Sequence, residues 1–171
     1  MDLRGLIRDV PDFPKEGIVF RDITPLLLDP EASRQVTAEL VEFAGPMEVD
    51  FIVAAEARGF IFGGALAQAL GAGFVPARKP GRLPAKTVSV QYELEYGLDE
   101  LEVHADAFAS GARVLVHDDL VATGGTAAAT IEAVEKLGGQ VVGCAFLIEL
   151  AFLGGRQKLE PHEICSLITY D

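Results

Sequence analysis

Four short runs of the chain, VDFIVAAE, FVPARK, ARVLVHDD and QVVGCAFLIEL, are apolar almost without interruption, and the stretches between them carry helical patterning. A strand that is apolar on both sides must be covered on both faces. Strands that alternate with helices achieve this in a parallel sheet with helices packed against it. FIFGGALAQALGA supplies one crossover helix, and Ile131, Val134 and Leu137 recur at helical spacing in the other until Gly138 and Gly139 stop it. The expected fold class is therefore α/β, a parallel twisted sheet flanked by helices. Sheets of this kind hold ligands at the carboxyl ends of their strands, where the motifs AAEARG and HDDLVATGGT both fall. One stretch breaks the rhythm. TVSVQYELEYGLDELEV, residues 87–103, alternates like two paired strands with Gly97 near the tip, and predicts a hairpin outside the sheet.

With 171 residues, 50% of them hydrophobic, the chain lies in the one-domain range and can bury a core without covalent staples. Residues 1–171 are expected to form a single domain, since no repeat, low-complexity segment or linker interrupts them. Of the two cysteines, Cys144 sits inside an apolar run, which fits a small buried hydrophobe in a reducing compartment better than a disulfide or a metal site. No apolar stretch approaches the ~18 residues of a membrane span, and MDLRGLIRDVPDF carries acids where a signal peptide carries a basic and then an apolar run. A cytoplasmic protein with no membrane partner is expected.

The net charge of −12 argues against nucleic acid as a partner, because the whole molecule would repel the phosphate backbone. Locally the sign reverses. No acid occurs from Ala57 to Tyr92, while Arg58, Arg78, Lys79, Arg82 and Lys86 all fall there. Such a tract either holds a small polyanion or is a solvated basic face, and RKPGRLPAK, rich in Pro and Gly, must lie at the surface in both cases.

VLVHDDLVATGGT, Val114 to Thr126, is the most informative stretch. Thr123, Gly124, Gly125 and Thr126 lie between a strand and a helix, where backbone N–H groups and the helix N-terminus form an anion site that glycines let a phosphate approach. Asp118 and Asp119 would repel that phosphate. They are expected at another part of the same ligand, most naturally sugar hydroxyls, directly or through a divalent cation. The pattern is neither the Walker spacing, which needs a Lys after the glycines, nor the dinucleotide G-x-G-x-x-G.

This stretch resembles the phosphoribosyl diphosphate motif of type I phosphoribosyltransferases. DFPKEGIVFRDITPLL, EARGFIFGGALAQALG, RKPGRLP and YELEYGLDELEVHADA resemble the adenine-using branch of that family, in order and over nearly the whole chain. The resemblance implies the reversible conversion of adenine and phosphoribosyl diphosphate into AMP and diphosphate, with Mg²⁺ carried by the substrate near Asp118 and Asp119, in a homodimer. It implies an N-terminal hood over roughly residues 1–30 and a hairpin lid over roughly 87–103. Residue by residue, it makes Ala122, Thr123, Gly124, Gly125 and Thr126 the 5′-phosphate loop with Asp118 and Asp119 at the ribose. Arg58, Arg78, Lys79 and Arg82 would hold the diphosphate, Arg58 also assisting its departure. Val19, Phe20 and Arg21 would meet adenine, Phe20 by stacking and the neighbouring backbone by hydrogen bonds. Glu95, beside Tyr96 on the lid, would carry the proton. His117 departs from the family's aliphatic residue and Arg82 from its common lysine.

The residues alone leave alternatives. Glu56 is either a surface acid closing its strand or part of a diphosphate turn, and Phe20 is either core or stacking platform. His117 is expected in the core or an interface. A relative that uses another base, or a regulatory module that binds phosphoribosyl diphosphate without turning it over, shares the loop. The acidic hairpin and the hood argue against the module.

Overall fold

The computed structural model describes residues 1–93 and 97–171. Strands β1 (Arg8–Pro11) and β2 (Val19–Asp22) form an antiparallel hairpin, followed by helices α1 (Thr24–Leu28) and α2 (Pro30–Ala44). Then come β3 (Phe51–Ala55), α3 (Gly59–Leu70), β4 (Gly73–Ala77), β5 (Thr87–Glu93), β6 (Leu98–His104), β7 (Arg113–Val121), α4 (Gly125–Lys136), β8 (Gln140–Leu150) and β9 (Ile164–Tyr170). Among the described residues β4, β3, β7, β8 and β9 lie side by side in that order, every neighbouring pair parallel.

The near-continuous apolar runs are explained by the two faces they serve. Ile52, Leu115, Ala145 and Leu147 enter one core with Val36 and Leu40 of α2 and Phe62 and Leu66 of α3. Their neighbours Val53, Val114, Val116, Cys144 and Phe146 enter a second core with Ile131 and Val134 of α4 and Val90, Leu101 and Val103 of the β5–β6 hairpin. Side chains alternate across a strand, so a sheet covered on both faces favours apolar residues at successive positions. Among the described residues the hairpin pairs only with itself in strand terms, and one isolated bridge, between Arg78 and Glu102, ties it to the end of β4.

Among the elements that escape the sequence reading are β9 and α2. β9 mixes polar and apolar residues, and only Ile168 and Tyr170 of it are buried. Helix α2 starts where Asp29 accepts hydrogen bonds from the backbone of Glu31 and Ala32, a cap worth ~1 kcal/mol. It buries Ala32, Val36, Leu40 and Ala44 along one stripe. A correction concerns β7, which runs through both acids to Val121 rather than ending at them. Its ladder with β8 continues past Asp118 to Val121, whereas its ladder with β3 stops at His117. The acid pair thus lies where β7 outruns β3, and the gap between them opens as a crevice.

His117 is a core residue. It is fully buried, and its Nδ1 donates to the Ala145 carbonyl at 2.8 Å. Burial pushes its pKa down to about 4, from an unfolded value near 6.5. Below pH 6.5 the unfolded chain takes up a proton that the folded chain refuses, so stability falls until the folded group also titrates. The expected loss is ~1.4 kcal/mol per pH unit across that window. In urea titrations, His117→Val is expected to show a shallower decline between pH 6.5 and 4 than the parent. Equal slopes would remove His117 as the cause.

Candidate active site

A cavity of about 260 Å³ opens at the carboxyl ends of β3, β4 and β7 and is roofed by the β5–β6 hairpin. Arg58 comes from the turn after β3, Arg78 and Lys79 from the end of β4, and Asp118 and Asp119 from β7; Tyr92 and Asp99 of the hairpin and Thr126 of α4 complete its walls. A second cavity of about 190 Å³ is lined by Asp118 and Leu120 through Ala127 and shares Asp118, Leu120 and Thr126 with the first. The structure therefore gathers the acid pair, the glycine loop and three of the four cations around adjoining spaces. Arg82 is outside both linings and meets the site through Glu56, to which it pairs at 3.2 Å, and through its carbonyl, which accepts from Arg78 Nη1 at 3.3 Å.

The smaller cavity is a loop built for an anion. Gly124 takes φ +78°, a conformation that side chains with a Cβ rarely adopt, and turns the chain from β7 into α4. The first turn of α4 carries no acid, so its free N–H groups face no competing carboxylate of their own. A Cβ on Gly125 would come within 3.2 Å of the Glu93 carbonyl and 3.4 Å of the Tyr92 ring. Glycine there lets the hairpin lie directly over the loop. Thr126 Oγ1 is 3.5 Å from the Tyr92 hydroxyl, which in turn donates to Asp99 at 3.2 Å.

The acid pair is closely held. Arg58 Nε lies 3.0 Å from Asp119 Oδ2, and Asp118 Oδ1 accepts the Asp119 backbone N–H at 2.8 Å. Gly59 makes room, since a Cβ there would stand 2.8 Å from Asp118 Oδ1. Burial, with the neighbouring Asp119 charge added, holds the Asp118 carboxyl well above the ordinary carboxylate range, and burial raises Asp119 despite Arg58. Two carboxylates beside one guanidinium leave excess negative charge in an enclosed space. Donors from sugar hydroxyls, or a hard cation bringing its own waters, would relieve it.

The basic tract stays partly solvated, with the Lys79 and Arg82 side chains both 56% exposed, but acids from outside it meet its charges. Lys79 Nζ donates to Asp99 at 2.7 Å, a bond that raises the lysine pKa and lowers that of the aspartate. Glu56 lies 3.5 Å from Arg78 and accepts the Lys79 backbone N–H at 2.6 Å. With its side chain only 12% exposed, Glu56 is not the surface acid that its place at a strand end allowed. It fastens the turn after β3 to the loop after β4, which is why the cations stand side by side.

The hood reaches the cavity through Arg58. Its Nη1 donates to the Arg21 carbonyl at 3.3 Å and its guanidinium lies 4.6 Å from the centre of the Phe20 ring, which also meets Phe13 edge-on at 5.2 Å. Val19 is 45% exposed beside them. None of Val19, Phe20 and Arg21 lines the cavity itself. The Arg21 side chain pairs with Asp9 and covers the Tyr170 ring at 3.8 Å, so Arg21 offers the site its backbone alone. Glu95 and Tyr96 lie outside the described residues. Sequence reasoning missed Tyr92, Asp99 and Leu120 as wall residues. Leu120 was legible as the apolar position between the acids and the glycines, whereas nothing local marks which hairpin residues touch the loop.

Comparison with known proteins identifies the family. The phosphoribosyl transferase domain family matches residues 30–168. The adenine phosphoribosyltransferase of Prochlorococcus marinus strain MIT 9313 is 58% identical over 172 residues, covering 99% of each chain. The crystal structure of the adenine phosphoribosyltransferase of Thermoanaerobacter pseudethanolicus superposes with a TM-score of 0.96 at 53% identity, over 99% of this chain and 98% of that one. The Saccharomyces cerevisiae adenine phosphoribosyltransferase, solved with an imino-altritol bisphosphate and adenine, gives 0.91 at 40% identity over 97% and 96%.

Proposed function

The chain belongs to the phosphoribosyl transferase family, and on that premise we propose how its residues convert adenine and phosphoribosyl diphosphate into AMP and diphosphate. The observation that carries the reading is the adjoining pair of cavities, one walled by a strand-to-helix glycine loop and the other by an acid pair facing lysine and arginine. The loop Ala122–Thr126 takes the 5′-phosphate. Asp118 and Asp119 receive the ribose hydroxyls and stand where a substrate-borne Mg²⁺ can share their oxygens. Both are hard ligands suited to that ion, and its remaining ligands would come from substrate and water.

The reaction forms a bond between adenine N9 and the anomeric carbon as the bond from that carbon to diphosphate breaks, and the N9 proton leaves. Negative charge grows on the departing diphosphate. Arg58, Arg78 and Lys79 stabilise it, Lys79 exchanging Asp99 for the phosphate and Arg82 holding Glu56 in place. Phe20, already against Arg58, packs on the base. A backbone carbonyl and N–H of the Val19–Arg21 segment favour adenine, because a 6-oxopurine reverses the donor and acceptor they would meet. Glu95 accepts the proton. Hood, lid and sheet act as one catalytic domain of residues 1–171, since Leu3, Ile7, Ile23 and Leu26 of the hood share a core with the sheet.

Incubation with phosphoribosyl diphosphate, Mg²⁺ and adenine, hypoxanthine, guanine or orotate tests the reading directly. Adenine alone should release diphosphate. Turnover of another base would reassign the hood, and turnover of none would leave a binding module. We place the protein in the cytoplasm, and no helix among the described residues is long and apolar enough to cross a membrane. A homodimer is expected. Mean hydropathy is +0.29, and Ile61 and Phe74 on the outer side of α3 and β4 remain 45% and 38% exposed, apolar surface that a second copy can cover. Light scattering at micromolar concentration should give twice the chain mass, and a monomer mass would reject it.

A further inference from the structure

We propose that Gly155 and the Glu149–Arg156 ion pair are positioning elements of the 5′-phosphate loop, an assignment that rests on the reading of Ala122–Thr126 as that loop. Gly155 opens a short 3₁₀ segment, Gly155–Leu159, after β8. Its backbone lies directly against the loop. A Cβ on Gly155 would come to 2.2 Å from the Ala122 carbonyl oxygen and 2.7 Å from the Gly124 nitrogen, and a Cβ on Gly124 to 2.4 Å from the Gly155 carbonyl oxygen. Two glycines from segments distant in the chain are thus required at one contact, which fixes the loop from behind at the residues that carry its turn.

The segment is itself pinned at both ends. Leu159 is fully buried in the core that holds α4. Arg156 grips Glu149 with two parallel bonds, Nε to Oε1 at 2.9 Å and Nη2 to Oε2 at 2.6 Å, and donates from Nη1 to the Ile164 carbonyl at 3.2 Å. This fork needs a guanidinium, since an ammonium cannot make two bonds of fixed direction. Glu149 pairs in register with Val121, the residue that leads into the loop, and its side chain is only 7% exposed. An unneutralised carboxylate there would oppose a phosphate on the neighbouring strand. Arg156 therefore serves twice, cancelling that charge and holding Gly155 against the loop, without lining either cavity.

The test reads the 5′-phosphate end separately from the base. Calorimetric titration with ribose 5-phosphate is run on the parent, Arg156→Gln and Gly155→Ala, with the KM for adenine measured in parallel. Both variants are expected to bind ribose 5-phosphate about tenfold more weakly or worse, as small displacements of binding groups cost that much, while the adenine KM stays unchanged. Arg156→Lys, which keeps the charge and loses the fork, should fall between parent and Arg156→Gln. Adding Glu149→Gln to Arg156→Gln should restore part of the affinity. Parent-like ribose 5-phosphate binding by folded Arg156→Gln and Gly155→Ala overturns the inference. So do equal losses for ribose 5-phosphate and adenine, or loss of the fold in both variants, since each shows a general structural role. A parent that does not bind ribose 5-phosphate at all faults the loop assignment instead.

Discussion

Replacing Asp118 and Asp119 together by Asn is expected to lower kcat/KM by at least ~10³-fold and leave a folded protein. The two carboxylates stand where β7 outruns β3, with Asp119 3.0 Å from Arg58 and Asp118 in both cavities. Burial raises both pKa values, so their charge opposes folding rather than supporting it at neutral pH. Asn keeps the shape and the acceptor oxygen and removes that opposition. A loss of activity can therefore be read as a loss of function, provided circular dichroism and the unfolding midpoint stay close to those of the parent. The variant should also bind Mg²⁺–phosphoribosyl diphosphate more weakly, because neutral amides are poor ligands for a hard cation and weaker acceptors for ribose hydroxyls. Near-normal turnover at saturating Mg²⁺ would remove both acids from the chemistry and leave the glycine loop as the main anchor of the substrate.

The second large effect is expected at Glu95. Adenine must lose the N9 proton as it attacks, and AMP must regain one in reverse, so a positioned carboxylate is worth ~10²–10⁴ in rate. Glu95→Gln should lower turnover within that range and change the affinity for phosphoribosyl diphosphate little. Glu93→Gln is the control. Glu93 is exposed at the end of β5, with its backbone carbonyl, not its carboxylate, against Gly125, so its substitution should change almost nothing. Equal effects at the two positions, or a Glu95→Gln enzyme as fast as the parent, would leave the hairpin without a proton-transfer residue.

The crossover strands and helices were legible because each carries a local signature. VDFIVAAE and QVVGCAFLIEL are apolar on both faces, the second crossover helix is periodic and closed by glycines, and TVSVQYELEYGLDELEV alternates and stands apart. β9 was not legible, since polar residues break its apolar run and only Ile168 and Tyr170 of it are buried. Helix α2 carried the signals, an Asp29 cap before Pro30 and apolar residues four apart, but no strand-like run frames it. At the site, the order of residues along VLVHDDLVATGGT puts the glycine loop and the acid pair around two adjoining cavities, with Asp118 lining both. It misplaced the end of β7, because a strand's length is set by the neighbour it pairs with and not by its own polarity.

What the sequence determined by itself is whatever depends on neighbours along the chain: strand or helix periodicity, the left-handed turn at Gly124, and the concentration of cations between Ala57 and Tyr92. What only the tertiary structure decided is which charges meet. Glu56 binds Arg78 and Arg82, Asp99 takes Lys79, Arg58 spans from Asp119 to Phe20, and Arg21 turns its side chain to Asp9 and Tyr170. The contact of Gly155 with Gly124 is of the same kind. Ion pairs and close backbone approaches are effects of a few ångströms across segments far apart in sequence. Their partners are set by the packing of the sheet and its two cores, and the local chain carries no record of them.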